Sequence, residues 1–425
     1  MAKIKIPYNK KMLEVDIPDK NLAAVLQSGS ESYTTKLTQE EIVEQALDNP
    51  IGSKSLEELV KGKNNMVIIT SDHTRPVPSK ITLPILLRRI RKVNPEIDIK
   101  ILIATGFHRP TTREEMIDKF GENIVNNEQI INHLSQNKDD LALIGTLPSG
   151  GELWINKLAV EAELVISEGF IEPHFFAGFS GGRKSILPGI AAAGTIMWNH
   201  NSEFINSNNA RTGKLLKNPI HEDMLFAAQK AGLAFIMNVV IDKDKKIIHA
   251  VSGDSKLAHE EGCKFVSNLS SIKSVKGDIV ISSNGGYPLD QNIYQSVKGM
   301  TAAEACCKDG SVIIMVSACN DGHGGESFYK NMAEAKSPQE VLDKVLKVSK
   351  NETKPDQWEF QILARILSKN KVIMVTDMCD TKIIKDMHMD HASTIEEALN
   401  KAYKLKGNDA KVVVIPDGVS VVVTD

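Results

Sequence analysis

The sequence predicts an α/β protein with mostly parallel sheets, and three observations support that prediction. Short runs of aliphatic and β-branched residues alternate with amphipathic stretches along almost the whole chain. Hydrophobic residues make up 42% and charged residues 25% of the sequence, as in ordinary globular proteins. The length of 425 residues is about three times a domain of ~150 residues, so two domains, or three, are expected.

The first series of elements runs from the N-terminus to about residue 270. Apolar runs at residues 66–70 and 99–105 predict two strands, and the amphipathic stretch between them predicts a helix. A helix is expected after Thr111 or Thr112, since each is followed three residues later by a glutamate in a capping-box pattern. Further strands are expected at residues 141–145, 163–169 and 234–242, the last forming an antiparallel hairpin with IIHAVSG. Residues 1–270 are therefore predicted to form an N-terminal α/β domain.

A second alternating series follows the polar stretch at residues 267–277. Its predicted strands are DIVISS, SVIIMVSA, VIMVTD and VVVIPDG, and its helices are NIYQSVKGMTAAEACC, PQEVLDKVLKVSK, QWEFQILARIL and one from Thr394. Residues 271–425 are therefore predicted to form a C-terminal α/β domain. The last segment could close this domain or pack back on the first.

Charge and cysteine usage restrict the function classes. Lys and Arg total 51 against 54 Asp and Glu, so a net charge of -3 gives no basic surface for nucleic acid or an anionic membrane. The five cysteines have no paired spacing, which favours reduced thiols. The sequence shows no signal peptide and no apolar segment of membrane-spanning length. We therefore expect a cytoplasmic protein without nucleic-acid or membrane partners.

Functional side chains follow the first two strands of the N-terminal series, where open α/β sheets bind ligands. The loop after residues 66–70 carries Asp72 and Arg75 between two prolines, and Arg75 could capture a carboxylate or phosphate. A surface ion pair is the alternative interpretation of this loop. His108 follows the strand at residues 99–105 and is a candidate acid or base.

The stretch richest in functional side chains is a glycine-rich loop at residues 172–185, EPHFFAGFSGGRKS. It contains His174, Arg183 and Lys184, and its glycines allow backbone N–H groups to approach an anion. It is not a Walker A motif, because Arg183 stands where that motif requires glycine. His200 follows at the predicted end of a helix. On its position at the end of a helix alone, His200 would be interpreted as a core or surface histidine.

In the C-terminal series, one helical turn carries three polar side chains. Tyr294 and Lys298 are four residues apart, and Gln295 and Lys298 are three apart, so all can lie on one face and offer donors to an anionic substrate. The alternative is a solvated first turn of a helix.

Together these motifs resemble the nickel-pincer-nucleotide lactate racemases. The resemblance rests on the DHTRP loop, the GFHRP segment, the PHFFAGFSGGRKS loop, His200 and the YQSVK helix, and it covers essentially the whole chain. It implies two α/β domains with the active site in the cleft between them. It also implies that the N-terminal domain carries the cofactor and the catalytic histidines while the C-terminal domain closes over the substrate.

The resemblance further implies a cofactor and roles for individual residues. The cofactor is nickel held by a pyridinium-3-thioamide-5-thiocarboxylic acid mononucleotide, attached to Lys184, with His200 as the protein ligand of the metal. Soft sulfur donors with an imidazole suit Ni(II). The remaining roles are a phosphate site at Ser180, Gly181, Gly182 and Arg183, acid/base catalysis by His108 and His174, and substrate binding by Arg75, Tyr294, Gln295 and Lys298, with Asp72 orienting and Trp358 a further candidate.

The same resemblance implies that the protein racemises lactate. Hydride would move reversibly from C2 to the cofactor through a pyruvate intermediate, and each histidine would serve the hydroxyl of one enantiomer. Cofactor-maturation proteins are the expected partners. The alternatives are racemisation or epimerisation of another 2-hydroxy acid, a 2-hydroxy acid dehydrogenase, for which the expected GxGxxG turn is missing from the sequence, and a non-catalytic nickel or nucleotide carrier.

Overall fold

The computed structural model describes residues 1–29 and 33–424. The strands in that part of the chain are β1 Ala2–Tyr8, β2 Lys11–Ile17, β3 Leu22–Val25, β4 Asn65–Ser71, β5 Asp98–Ala104, β6 Gln129–Asn132, β7 Leu141–Thr146, β8 Glu152–Asn156, β9 Val165–Phe170, β10 Pro173–His174, β11 Gly178–Phe179, β12 Leu233–Ile241, β13 Ile247–Gly253, β14 Ser271–Lys273, β15 Gly277–Ser283, β16 Cys307–Val316, β17 Lys371–Val375, β18 Asp390–Ala392, β19 Val412–Ile415 and β20 Val422–Thr424.

The α-helices alternate with these strands, as the sequence predicts. They are α1 Gln39–Asp48, α2 Leu56–Val60, α3 Ser79–Val93, α4 Arg113–Phe120, α5 Glu122–Asn127, α6 Lys157–Glu161, α7 Ala193–Asn199, α8 Ser202–Asn206, α9 Pro219–Lys230, α10 Leu257–Ser270, α11 Ile293–Ala305, α12 Glu326–Ala333, α13 Pro338–Val345, α14 Gln357–Lys369, α15 Thr381–Asp386 and α16 Ile395–Lys406. Thr112 is the N-cap of α4 and forms the predicted capping box with Glu115, so the second of the two candidate threonines is the cap.

The chain divides into two compact units. The central unit comprises Ser30–His200 and Ser207–Leu269, and the terminal unit comprises Met1–Gly29, Asn201–Asn206 and Ser270–Asp425. Each unit has its own sheet and its own apolar core. The predicted α/β fold class is confirmed.

The central unit is built on a six-stranded sheet in the order β13-β12-β9-β4-β5-β6. All neighbours are parallel except β12 and β13, which form the predicted antiparallel hairpin. Both faces of its inner strands are buried, and β4 is buried at every position from Met66 to Thr70. Such continuous apolar strands are typical of a parallel sheet that helices cover on both sides.

The terminal unit is built on an entirely parallel six-stranded sheet in the order β18-β17-β16-β15-β19-β3. The hairpin of β1 and β2 packs its buried face, which includes Ile6 and Ile17, into the core of this unit. β20 pairs with β14, so the last strand belongs to the terminal unit.

The division departs from the predicted residues 1–270 and 271–425 in two places, because residues 1–29 and Asn201–Asn206 both fall in the terminal unit. Residues 1–29 lie in the terminal unit, since β3 pairs with β19 and Tyr8 of β1 hydrogen-bonds Thr376 after β17. A boundary drawn along the sequence cannot represent this pairing, which joins residues almost 400 positions apart. None of the helices among residues 1–29 and 33–424 has both the length and the apolar character needed to cross a membrane.

Candidate active site

Three neighbouring strands of the central unit deliver the predicted side chains. β9, β4 and β5 lie side by side and parallel, so the loops that follow them leave the same edge of the sheet. These loops carry Asp72 and Arg75, then His108, then His174 and Lys184. A backbone hydrogen bond of 2.9 Å from Gly106 N–H to the Gly189 carbonyl joins the His108 loop to the segment that follows Lys184. The three loops therefore lie together at one edge of the sheet, as the strand-end positions predict.

Asp72 and His108 form a close pair. The distance from Asp72 Oδ2 to His108 Nδ1 is 2.6 Å, and Asp72 is 2% exposed whereas the His108 side chain is 45% exposed. The other carboxylate oxygen accepts hydrogen bonds from the backbone N–H and the hydroxyl of Thr74 at 3.0 and 2.6 Å. Burial alone would raise the pKa of Asp72, but the contacts with His108, Thr74 and Arg75 lower it to about 2. An ionised Asp72 fixes a proton on His108 Nδ1 and leaves Nε2 as the nitrogen that can exchange protons.

Arg75 is exposed, and its backbone is held on both sides. Its N–H donates to the Asp72 carbonyl at 3.3 Å, and its carbonyl accepts from Lys119 Nζ at 2.8 Å. The guanidinium therefore extends from a backbone that is fixed beside the Asp72 and His108 pair. That arrangement suits capture of an anionic group close to an acid/base imidazole.

The glycine-rich loop places His174 next to Lys184. Their atoms Nε2 and Nζ are 3.3 Å apart, and Lys184 Nζ lies 5.7 Å from the centre of the Phe176 ring. His174 is paired with Gly178 in the short β10 and β11 ladder, and its Nδ1 accepts the Ala177 N–H at 3.3 Å. A group attached to Lys184 would thus start beside the His174 imidazole.

His200 lies at the C-cap of α7, at the end of a helix as predicted. It is 5% exposed, and its ring centre is 5.2 Å from that of Phe176, which also contacts Lys184. Burial, with the nearby charge of Lys184, lowers the pKa of His200 to about 3, so the ring is neutral. Its Nδ1 is 3.0 Å from the Ile196 carbonyl and therefore carries the proton, which places the lone pair on Nε2.

The structure gives Arg183 a different environment from the predicted phosphate contact. The residue is 0% exposed, and its guanidinium donates to His221 Nδ1 at 3.0 Å and to the Ala177 carbonyl at 2.8 Å, with His259 Nε2 at 2.9 Å. Burial, with the Arg183 charge, lowers the pKa of His221 to about 3 and that of His259 well below its usual value, so both rings are neutral. Arg183 therefore holds the loop to the helices behind it.

The other predicted phosphate ligands are also used within the loop. Ser180 Oγ donates to the Phe170 carbonyl at 3.0 Å and accepts the Glu172 N–H at 2.9 Å. The Gly182 N–H donates to Asn238 Oδ1 at 2.7 Å, and a Cβ at Gly181 would lie 2.7 Å from that oxygen, so only glycine fits there. Phosphate contacts at residues 180–183 stay predictions, and this geometry favours a scaffolding role.

In the terminal unit, α11 carries Tyr294, Gln295 and Lys298. Lys298 Nζ donates to Gln295 Oε1 at 2.7 Å, so the predicted shared face of these two residues is present. Tyr294 donates its hydroxyl to Asp356 Oδ1 at 3.1 Å, at the N-cap of α14. Asn292 caps α11 by accepting the Gln295 N–H at 3.0 Å, which fixes the first turn.

Two buried carboxyl groups, one in each unit, were not identified from sequence. Glu168 of β9 is 2% exposed and accepts the hydroxyls of Thr70, Ser79 and Thr82 below the Asp72 loop. Glu359 of α14 is 1% exposed and lies near Lys298. The signal for both was a single carboxylate within an otherwise apolar strand or helix face, which predicts a buried charge but not its partners.

No group of three or more His, Cys, Asp or Glu side chains within residues 1–29 and 33–424 is arranged to hold a metal ion. The resemblance assigns the other nickel donors to the cofactor. The neutral, buried imidazole of His200 fits as the one protein donor, and the Lys184 amine, near the same Phe176 ring, fits as the attachment point of the nucleotide.

The chain matches two family models and two full-length relatives, all of them lactate racemases. The family model described as the lactate racemase N-terminal domain matches residues 8–213, and the one described as the lactate racemase C-terminal domain matches residues 272–423. The chain is 60% identical to a lactate racemase of Thermoanaerobacterium thermosaccharolyticum and 58% identical to one of Lactiplantibacillus plantarum, in each case over 100% of both chains.

Solved structures give the same result for the fold. The lactate racemase apoprotein from T. thermosaccharolyticum matches with a TM-score of 0.97 at 60% identity, covering 100% of both chains. A Thermotoga maritima protein matches with a TM-score of 0.64 at 19% identity, covering 91% of this chain and 99% of that one. The second match concerns the fold alone.

Proposed function

The chain belongs to the lactate racemase family, and on that premise we propose that it interconverts L- and D-lactate. Its enzyme class, an isomerase of the racemase type, follows from relatives 58% and 60% identical over their whole length. The observation that carries the proposal of lactate as substrate is this full-length identity, in a chain whose His108 is oriented by a buried carboxylate 2.6 Å away.

The residues of the central unit suit a nickel-pincer nucleotide. We propose that Lys184 attaches the nucleotide through its amine and that His200 coordinates nickel through Nε2, which carries the lone pair. When bound, this cofactor would supply a hydride acceptor for the hydrogen at C2 of the substrate, and the resulting pyruvate would be open to reduction on either face.

The chain's own side chains transfer the hydroxyl proton and bind the substrate carboxylate in this proposal. In the proposed reaction, His108 Nε2 takes the hydroxyl proton of one enantiomer while Asp72 stabilises the resulting imidazolium through Nδ1–H. His174, next to Lys184, performs the same task for the other enantiomer. Arg75 and Lys298 bind the carboxylate, with Gln295 holding the Lys298 ammonium in place.

Two further expectations accompany this proposal. The cofactor comes from separate maturation proteins, and the enzyme works in the cytoplasm, which agrees with five free cysteines among the described residues. The cleft that the family resemblance implies between the two domains stays a prediction of the sequence.

The test is to produce the protein together with the cofactor-maturation proteins and to follow L-lactate by circular dichroism. We expect the signal to decay to zero as the racemate forms. A loaded protein that leaves L-lactate unchanged but racemises another 2-hydroxy acid would move the proposal to that substrate, and one that racemises none would overturn it.

A second measurement addresses the attachment site. Intact-mass analysis of Lys184→Ala should show the unmodified mass, while the control Lys230→Ala, at the exposed end of α9, should carry the adduct. An adduct on Lys184→Ala would remove Lys184 from its proposed role.

A further inference from the structure

Glu359 is a buried carboxyl group in the surroundings of the proposed substrate-binding lysine. It lies in the first turn of α14, which packs against α11, the helix that carries Lys298. The residue is 1% exposed, and its atom Oε1 is buried without a hydrogen-bond partner among residues 1–29 and 33–424. A buried carboxylate oxygen without a donor is costly, so this site favours the protonated acid unless a positive charge compensates it.

Lys298 supplies a positive charge that favours the ionised form of Glu359, although the effect of burial is larger. Three groups in the described chain interact electrostatically with Glu359. Lys298 and Tyr294 lie on α11, which packs on α14, and Asp356 lies at the start of α14 itself. Asp356 repels an ionised Glu359, whereas Lys298 attracts it. The ionisation of Glu359 therefore depends on how much of the Lys298 charge is available to it.

A substrate carboxylate at Lys298 changes this balance. The lysine has one ammonium group, which already donates to Gln295 Oε1 at 2.7 Å. An arriving carboxylate would place a second negative charge near Glu359 and would use the positive charge that stabilises its ionised form. Two carboxylates sharing one cation cannot both remain ionised without cost, and the buried one has the stronger reason to take a proton.

We propose that Lys298 binds the substrate carboxylate preferentially when Glu359 is protonated. Enzyme with an ionised Glu359 then takes up one proton from solvent on binding, and Glu359 thereby sets how substrate affinity varies with pH. The inference rests on the proposed function, because it requires Lys298 to bind the substrate. In enzyme whose Glu359 is ionised, the substrate anion and one proton bind together and leave together, whereas enzyme whose Glu359 already holds the proton binds the anion alone. Glu359 is a positioning residue, since it acts through Lys298 and does not touch the reacting atoms.

Burial raises the pKa of Glu359 to about 8, although Lys298 opposes the increase. Glu359 therefore gains or loses its proton within the pH range in which the enzyme can be assayed. At pH 7 most of the free enzyme would hold the acid form. At pH 9 most would hold the carboxylate, which competes with the substrate for Lys298. We therefore expect KM for lactate to rise about tenfold between pH 7 and pH 9, with the ratio kcat(L→D) to kcat(D→L) unchanged.

The experiment measures KM and kcat from pH 6 to pH 9.5 for the loaded wild-type enzyme, Glu359→Gln and the control Glu304→Gln. Glu304 of α11 accepts two hydrogen bonds from the guanidinium of Arg365 on α14, at 3.1 Å to Oε1 and 2.8 Å to Oε2, so it links the same two helices. We expect the KM of Glu359→Gln to stay within about twofold over this range, while the control keeps the wild-type rise. A wild-type pH dependence that persists in Glu359→Gln would overturn the inference.

A second readout requires no variant. Calorimetric titration of the loaded wild-type enzyme with equilibrated DL-lactate, in two buffers of different ionisation enthalpy, counts protons without heat from net racemisation. Near pH 9 we expect an uptake approaching one proton per site, and zero uptake there would also overturn the inference. Failure of the proposed function is distinguishable, because the enzyme would then not racemise lactate at any pH.

Discussion

Asp72 in the central unit and Glu359 in the terminal unit are both almost completely buried carboxyl groups, yet their pKa values move in opposite directions. Asp72 is 2% exposed and Glu359 1% exposed. Asp72 receives hydrogen bonds from His108 and from both donors of Thr74, and these lower its pKa to about 2. Oε1 of Glu359 has no such donor in the described residues, and burial raises the pKa to about 8. The donors that a buried carboxyl receives decide its charge, and burial alone does not.

The two environments suit the two proposed roles. A permanently ionised Asp72 keeps His108 in one tautomer throughout the reaction cycle. A carboxyl that changes its protonation state is suited to respond to a charged ligand, as proposed for Glu359. Substitutions that change one hydrogen-bond donor or one charge can therefore test what sets the charge of Asp72 and what sets the charge of Glu359.

The largest effect is expected from Asp72→Asn. An asparagine can present its N–H group to His108 Nδ1, which would place the ring proton on Nε2 and remove the base. We expect kcat/KM to fall by about 10²- to 10⁴-fold, the usual contribution of a positioned general base. Initial rates by circular dichroism measure this loss, with intact mass confirming normal cofactor loading. A variant that keeps half of the wild-type activity would show that Asp72 does not set the tautomer.

A smaller effect is expected on thermal stability when Glu359 is replaced by glutamine. The folded-state pKa of Glu359 is raised above its unfolded value, so its contribution to stability is fully present below about pH 4.5 and is lost as pH rises toward 8. The wild type should therefore lose more stability than Glu359→Gln over that interval, a relative shift of a few degrees in apparent Tm. Thermal unfolding at pH 5, 7 and 8.5 measures it. Parallel Tm profiles for the two proteins would contradict the raised pKa.

The smallest effect is expected from Thr74→Val, which removes the hydroxyl that donates to Asp72 at 2.6 Å and leaves the backbone N–H donor at 3.0 Å. We expect a loss of about 1–2 kcal/mol in unfolding free energy at pH 7. The exposed Thr146→Val, also in the central unit, is the matched control and should change little. Urea denaturation measures both, and equal values for the two variants would show that the Thr74 hydroxyl does not stabilise the carboxylate.

Much of the fold followed from local pattern. The runs around Ile68 and Ile101 predicted β4 and β5, and a glutamate three residues after Thr112 predicted the start of α4. The place of residues 1–29 did not follow, because β3 pairs with β19 across most of the chain and no local signal records that pairing.

The candidate site was predicted to a similar extent. Strand-end position predicted that Asp72, His108 and Lys184 lie at one edge of the sheet, because the ends of neighbouring parallel strands meet there. The buried contacts of Arg183 with His221 and His259 were missed, since a cation in a glycine-rich loop has the same sequence pattern whether it faces a ligand or the core. Glu359 was missed because its ionisation depends on Lys298, which lies on another helix.

The most direct test of the central claim follows a deuterium label at C2 of L-lactate during racemisation in ordinary water by the loaded enzyme. We predict that D-lactate forms with deuterium retained at C2, and that Lys184→Ala forms none. Deuterium lost to solvent would mean that C2 is deprotonated, and would contradict the proposed hydride route; no D-lactate from the loaded wild-type enzyme would contradict racemisation itself.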